Sequence, residues 1–183
     1  MLDTDIGGID VVTFSGDKLL GAPQAGLIVG EQSAITAMRK NPIYRALRLD
    51  KVTLAGLEAT LELVLAGRGD EIPARAMMHR GISELTPLAH DLARSLTALA
   101  GVQASVEPSR AQPGSGSAPT AFLESVAVRV EHERYSAEAL GLALRAVDPP
   151  VFGRIQDDAV WLDVRTVSNS DAAGIAEAFA ALG

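Results

Sequence analysis

The sixteen residues from Lys51 to Ala66, KVTLAGLEATLELVLA, contain no proline and a single glycine. Their spacing predicts a helix with Leu54, Leu57, Leu61, Val64 and Leu65 on one face and Glu58 and Glu62 opposite. Gly67 and Gly69 end it, and the polar, broken stretch GRGDEIP at 67–73 reads as a hinge. A definite helix followed by a definite break divides the chain into two structural units, residues 1–70 and 71–183. Apolar residues make up 48% and charged residues 21% of the 183 positions. That excludes a disordered or low-complexity chain and leaves enough apolar surface for a sizeable core.

Upstream of the helix, IDVVTF at Ile9–Phe14 is short, β-branched and aromatic, and Ser15-Gly16 closes it, so it reads as a buried strand ending in a tight loop. AGLIVG at Ala25–Gly30 reads as a second strand, and Glu31–Lys40 as a helix stopped by Pro42. Beyond the hinge, a helix is expected at Ser83–Leu99 with Leu85, Leu88, Leu92 and Leu96 on one face. A strand at Val102–Val106 then leads into a Gly/Ser/Pro-rich loop, EPSRAQPGSGSAPT, and an alternating strand at Ser125–Val130. Ser136 caps a helix running to Ala146, Val151–Gln156 and Ala159–Val164 form a hairpin about Asp157-Asp158, and Ser170 begins a terminal helix. This α-β-β-α-β-β-α order gives an antiparallel sheet covered by helices, a small α+β sandwich. The chain as a whole reads as α/β.

The absence of cysteine excludes a disulfide framework, thiolate zinc sites, iron–sulfur clusters and a cysteine nucleophile. A net charge of −7, from 16 basic and 23 acidic side chains, argues against a free-standing nucleic-acid binder, and DNA is not an expected partner. No apolar run approaches the ~20 residues that span a bilayer, and the amino terminus, MLDTDIGGID, is acidic where a signal peptide is basic and then apolar. A cytoplasmic protein without a membrane partner is expected.

Lys18 is the one lysine in the first 39 residues, and it lies in SGDKLLG between the two short strands. A lysine held in a semi-buried loop loses its charge more readily than one in water, as Schiff-base chemistry requires. The plainer reading is a surface lysine in a turn. The residues around it carry a resemblance that bears on the choice. DVVTFSGDKLLGAPQAGLIVG, followed by NPIYRALRLDKVTLAGLEATL, resembles the cofactor-lysine region of the bacterial selenocysteine synthase family, the L-seryl-tRNA(Sec) selenium transferases. GSGSAP at 114–119 and DPPVFGRIQDDAVWLDVRTV at 148–167 are similar to that family's small domain, so the resemblance covers nearly the whole chain.

The resemblance implies part of a fold-type-I transferase dependent on pyridoxal 5'-phosphate, with the end of the large cofactor-binding domain at 1–70 and a small α+β domain at 71–183. It implies a reaction in which seryl-tRNA(Sec) loses water and selenophosphate adds to give selenocysteinyl-tRNA(Sec), in a homo-oligomer built from dimers. Lys18 matches the family's Schiff-base lysine and proton shuttle, and Asp17 the carboxylate beside it. Ser15 stands where many fold-type-I enzymes place a hydroxyl against the cofactor phosphate. Gly21, Gln24 and Gly26 resemble the loop by which such dimers reach the neighbouring subunit's phosphate. Arg45 and Arg48 match arginines at the site for selenophosphate or the leaving phosphate, and their i, i+3 spacing would put both guanidinium groups on one side of a helical turn.

Ala22 stands where the family usually has a second glycine. A Cβ there costs about 1 kcal/mol if the position needs a positive φ. Full-length family members carry a large domain and a tRNA-binding region before the lysine that this sequence does not contain, so a C-terminal portion inactive by itself is expected. Two other readings stay open: a related enzyme acting on a small amino acid or amino sugar, and an inactive truncated fragment that binds no cofactor. No metal site is expected. His79, His90 and His132 match no zinc spacing, Asp157-Asp158 reads as a polar turn, and Trp161 as a packing residue.

Overall fold

The computed structural model describes residues 8–114, 118 and 120–183. The chain divides into two compact units, the first reaching to His79 and the second formed by Arg80–Pro113 and Ala118–Gly183. The α/β class expected from the sequence holds.

The first unit opens with an antiparallel hairpin. Its strands β1 (Val11–Ser15) and β2 (Gly26–Gly30) are in register from Val11 opposite Gly30 to Ser15 opposite Gly26. Three helices follow: α1 (Gln32–Lys40), α2 (Ile43–Ala46) and α3 (Lys51–Leu65). Asp50 caps α3. Its carboxylate accepts the Thr53 hydroxyl at 2.6 Å and the Val52 and Thr53 amides at 2.8 and 3.0 Å. The Thr53 hydroxyl, then these amides, hold the carboxyl below its ordinary pKa. The stretch read as a hinge is folded: a 3-10 turn at Gly69–Glu71 runs into helix α4 (Pro73–His79), and Arg68 grips Glu71 through two hydrogen bonds of 2.6 and 2.7 Å.

Two expectations for this unit are corrected. The hairpin is not buried, since Phe14, Ile28 and Val29 are all exposed. Nor does α3 hide one apolar face: Leu57, Leu61 and Val64 are half-buried, but Leu54 and Leu65 stand exposed, Leu65 at 86%. Apolar side chains run all round α3, Val52 and Leu63 included, so a single neighbouring layer cannot cover them. A two-stranded hairpin likewise supplies no second layer. Only four described residues of this unit are buried: Gly16, Ala25, Gly69 and Ile72.

The second unit contains α5 (Ile82–Thr97), β3 (Val102–Ala111), β4 (Leu123–His132), α6 (Ala137–Ala146), β5 (Arg154–Gln156), β6 (Ala159–Asp163) and α7 (Asn169–Ala180). Its antiparallel sheet has the order β3-β4-β6-β5. Leu85, Leu88, Leu92 and Leu96 of α5 pack with Val126, Val128 and Val130 of β4, Val160 and Leu162 of β6, and Leu140, Leu144 and Phe179. The four leucines recur at helical spacing and the β4 valines at strand spacing, so each element turns its apolar side to one core.

Strand β3 runs on to Ala111 where a loop was expected after Val106. It is an edge strand, where a residue without an N–H such as Pro108 is tolerated. The β5–β6 turn is the two-residue connection expected, with Asp157 and Asp158 at φ 49° and 54°. Helix α7 starts at Asn169, just ahead of Ser170, because Ser168 and Asp171 form a reciprocal capping box. The Ser168 hydroxyl, then its amide, lower the Asp171 pKa. Most of GSGSAP, at 115–117 and 119, lies outside the described residues.

Candidate active site

Six of the eight residues proposed from the sequence lie on one hairpin. Ser15 and Gly26 are its last paired residues, and Asp17, Lys18, Gly21 and Gln24 belong to the loop between them. The loop is folded back on itself by main-chain hydrogen bonds: Gly16 N–H to the Ala25 carbonyl at 2.8 Å, Ala22 N–H to the Gly16 carbonyl at 2.8 Å, and Gly21 N–H to the Lys18 carbonyl at 3.0 Å. Gly21 closes the turn that begins at Lys18, with φ +72°, a conformation that a Cβ disfavours. Ala22 does not adopt a positive φ, so the departure noted there costs no backbone strain.

The sequence led us to expect a semi-buried Lys18. It is exposed, as are Asp17 and Gln24, while Ser15 is half-buried. The loop extends from a hairpin that the described residues leave largely exposed.

Arg45 and Arg48 stand apart from the hairpin, and both are exposed. Helix α2 ends at Ala46, the Leu47 amide bonds back to the Tyr44 carbonyl at 3.2 Å, and the backbone then extends into the Asp50 cap. Arg48 therefore lies beyond the helix, and the helical i, i+3 adjacency expected of the two arginines is not formed. Among the described residues, no hydrogen bond or ion pair joins either arginine to the lysine loop.

Sequence reasoning missed the residues on which the loop rests. A Cβ placed on Gly21 would come within 2.5 Å of Ile72 Cγ2 and 3.5 Å of Ala74 Cβ, and one on Gly56 of α3 within 2.8 Å of Pro23 Cγ. The loop is thus seated against α3 at Pro23 and against the segment entering α4 at Gly21. A signal existed in Gly56, the one glycine of an otherwise continuous helix, which costs about 1 kcal/mol relative to alanine and calls for a packing reason. The remaining candidates serve local structure. His79 pairs with Asp70, His132 accepts the Arg134 amide at 3.1 Å and meets Tyr135 edge-on, and the Trp161 indole donates to the Gln156 carbonyl at 3.0 Å.

Fold and loop together define an α/β chain that presents one lysine on an internally hydrogen-bonded strand–loop–strand unit, followed by a separate helix-covered sheet. The family model described as SelA, L-seryl-tRNA selenium transferase, matches residues 3–168, and the chain belongs to that family. It is 44% identical over 164 residues to the L-seryl-tRNA(Sec) selenium transferase of Aquifex aeolicus, an alignment covering 90% of this chain and 36% of that protein. The proteins of the same name from Hyphomonas neptunium and Moorella thermoacetica are each 45% identical, over 94% and 93% of this chain and 38% and 37% of their own lengths. The chain thus spans a little over a third of the length of these relatives. No helix among the described residues is long and apolar enough to cross a membrane.

Proposed function

We propose that this chain supplies the lysine loop and the small domain of a pyridoxal-phosphate-dependent enzyme that converts seryl-tRNA(Sec) to selenocysteinyl-tRNA(Sec) with selenophosphate. The observation that carries the proposal is Lys18, an exposed amine on a hydrogen-bonded loop, within the residues that match the family. In this reading residues 1–70 complete a larger fold-type-I domain, residues 71–183 form the small one, and the protein works in the cytoplasm as a homo-oligomer built from dimers.

The donors near Lys18 fit this cofactor. A primary amine suits its aldehyde, and the half-buried Ser15 hydroxyl suits its phosphate. When bound, pyridoxal phosphate supplies an electron sink for charge developing at the substrate α-carbon. Lys18 holds it and moves a proton at that carbon, while Asp17 stabilises the ammonium form beside it. Gly21, Gln24 and Gly26, the last with open backbone where a Cβ would meet nothing within 4 Å, approach the phosphate bound by a neighbouring subunit. Arg45 and Arg48 orient selenophosphate, offering planar donor pairs to its oxygens. With so few buried residues around the loop, the chain alone binds weakly and does not turn over.

The test is reduction with borohydride after mixing the chain with pyridoxal phosphate, followed by peptide mapping. Lys18, Lys40 and Lys51 are the only lysines, so the label reports directly. Label concentrated on Lys18 supports the reading, and label spread evenly over the three overturns it. Binding of seryl-tRNA(Sec), rather than a free amino acid or amino sugar, by the protein completed with the rest of the family's length tests the substrate.

A further inference from the structure

The four buried residues among those described in the first unit fall on two segments. Gly16 and Ala25 are joined by a hydrogen bond at the two ends of the lysine loop, and Gly69 and Ile72 belong to the stretch between α3 and α4. The two segments meet where Gly21 approaches Ile72. Ile72, 4% exposed, fills the space where a Cβ on Gly21 would have been, while Gly56 leaves the matching opening for Pro23. The loop that carries Lys18 is gripped at Gly21 and Pro23 by residues remote in sequence.

We propose that Ile72 and Gly56 are positioning residues for Lys18: they seat the loop, so that the stretch between α3 and α4 sets the geometry and reactivity of the lysine amine. The proposal rests on the reading of Lys18 as the cofactor lysine. Loop residues with no such seat would leave the amine free to sample many directions, and small misplacements of a reacting group reduce its effectiveness steeply. Ile72 is followed directly by α4, so any displacement of that helix reaches the turn at Gly21 through this contact.

Two readouts on the full chain test this. The first is amide exchange at Gly21 and Ala22, whose hydrogen bonds close the loop. The second is borohydride-fixed labelling by limiting pyridoxal phosphate across a pH series, read as the ratio of Lys18 to Lys40 and Lys51. Ile72→Ala should speed exchange at both amides and lower the labelling ratio, each by about tenfold. Ile72→Val should restore both to within about twofold, because it keeps most of the contact. Gly56→Ala, which pushes on Pro23, should also lower the ratio.

Should Ile72→Ala unfold the unit, the Ile72→Val and Gly56→Ala ratios decide. Faster exchange with an unchanged ratio and pH profile would make the seat purely structural and overturn the proposal. A parent chain that labels its three lysines equally would instead overturn the reading of Lys18, and this proposal with it, before any variant is made.

Discussion

The β5–β6 turn places two adjacent aspartates, Asp157 and Asp158, at φ 49° and 54°, and its energetics can be worked out from that geometry. An L-residue in the left-handed region carries a penalty of about 1–2 kcal/mol from its Cβ, less for aspartate than for most residues. Glycine escapes that penalty but loses about 0.5–1 kcal/mol more backbone freedom on folding. Asp158→Gly should therefore stabilise the second unit by about 0.5–1 kcal/mol, and the D157N/D158G pair, the combination such turns favour, by somewhat more. Asp158→Val should cost about 1–2 kcal/mol, because a β-branched side chain is the worst occupant of this conformation.

Urea unfolding followed through Trp161, the only tryptophan and a member of the same hairpin, gives the measurement. With m-values of about 1–3 kcal/mol/M, the glycine variant should move the midpoint by a few tenths of molar at unchanged m. Asp158→Asn separates backbone from charge, since it removes the carboxylate but keeps the Cβ. If it matches Asp158→Gly at low salt and both gains vanish at high salt, repulsion between the two carboxylates is the cause. A neutral or destabilising Asp158→Gly, with Asp158→Val no worse, would refute the reasoning.

Gly21→Ala should weaken protection of the Gly21 and Ala22 amides by about 2 kcal/mol or more, from positive φ plus the approach to Ile72, whereas Gly26→Ala should leave it unchanged. Asp50 and Asp171 titrate below their ordinary values in the folded chain, so their caps contribute fully above the unfolded carboxylate range. That contribution is lost as pH falls through the lowered folded values. Protection factors at Val52, Thr53 and Asp171, taken relative to intrinsic exchange at each pH, should fall below about pH 4, and Asp50→Ala should remove that fall at α3 alone. Arg80 reaches the carbonyls of Val164, Arg165 and Val167 at 3.1, 3.0 and 2.8 Å. Arg80→Met should cost the second unit about 2–3 kcal/mol by urea unfolding, and a loss under 0.5 kcal/mol would show that water replaces the guanidinium. Replacing Val52 and Leu65, at 83% and 86% exposure, by glutamine should change stability by less than about 0.5 kcal/mol.

The second unit was legible because its signals are local and mutually consistent. The α5 leucines, the Ser136 cap and the acidic two-residue turn each specify an element, and the resulting elements cover one another. The exceptions have simple causes: Pro108 reads as a strand breaker until the strand is known to be an edge, and Ser168 was passed over for Ser170 as the start of α7. In the first unit the same rules found every long element but misjudged burial. A run such as VVTF states that a strand wants covering and says nothing of whether the chain supplies the cover. The lysine loop was legible as a motif, and its seat was not, because the contacts of Ile72 with Gly21 and of Gly56 with Pro23 link residues more than thirty positions apart in sequence. The helical pairing of Arg45 with Arg48 failed for a local reason, since α2 ends at Ala46 and Arg48 falls in the non-helical stretch before the Asp50 cap.

The scarcity of burial in the first unit has a calorimetric consequence. Heat-capacity change on unfolding follows apolar surface newly exposed to water, and among the described residues every buried apolar side chain except Ala25 and Ile72 belongs to the second unit. A scan of the isolated chain should therefore show one cooperative peak with a heat-capacity increment near that of a 100-residue domain, about 1.2–1.5 kcal/mol/K, rather than the roughly twofold larger value that 183 fully packed residues would give. The residues that carry the lysine would contribute a sloping baseline instead of a transition, and would gain a peak of their own only when something covers them.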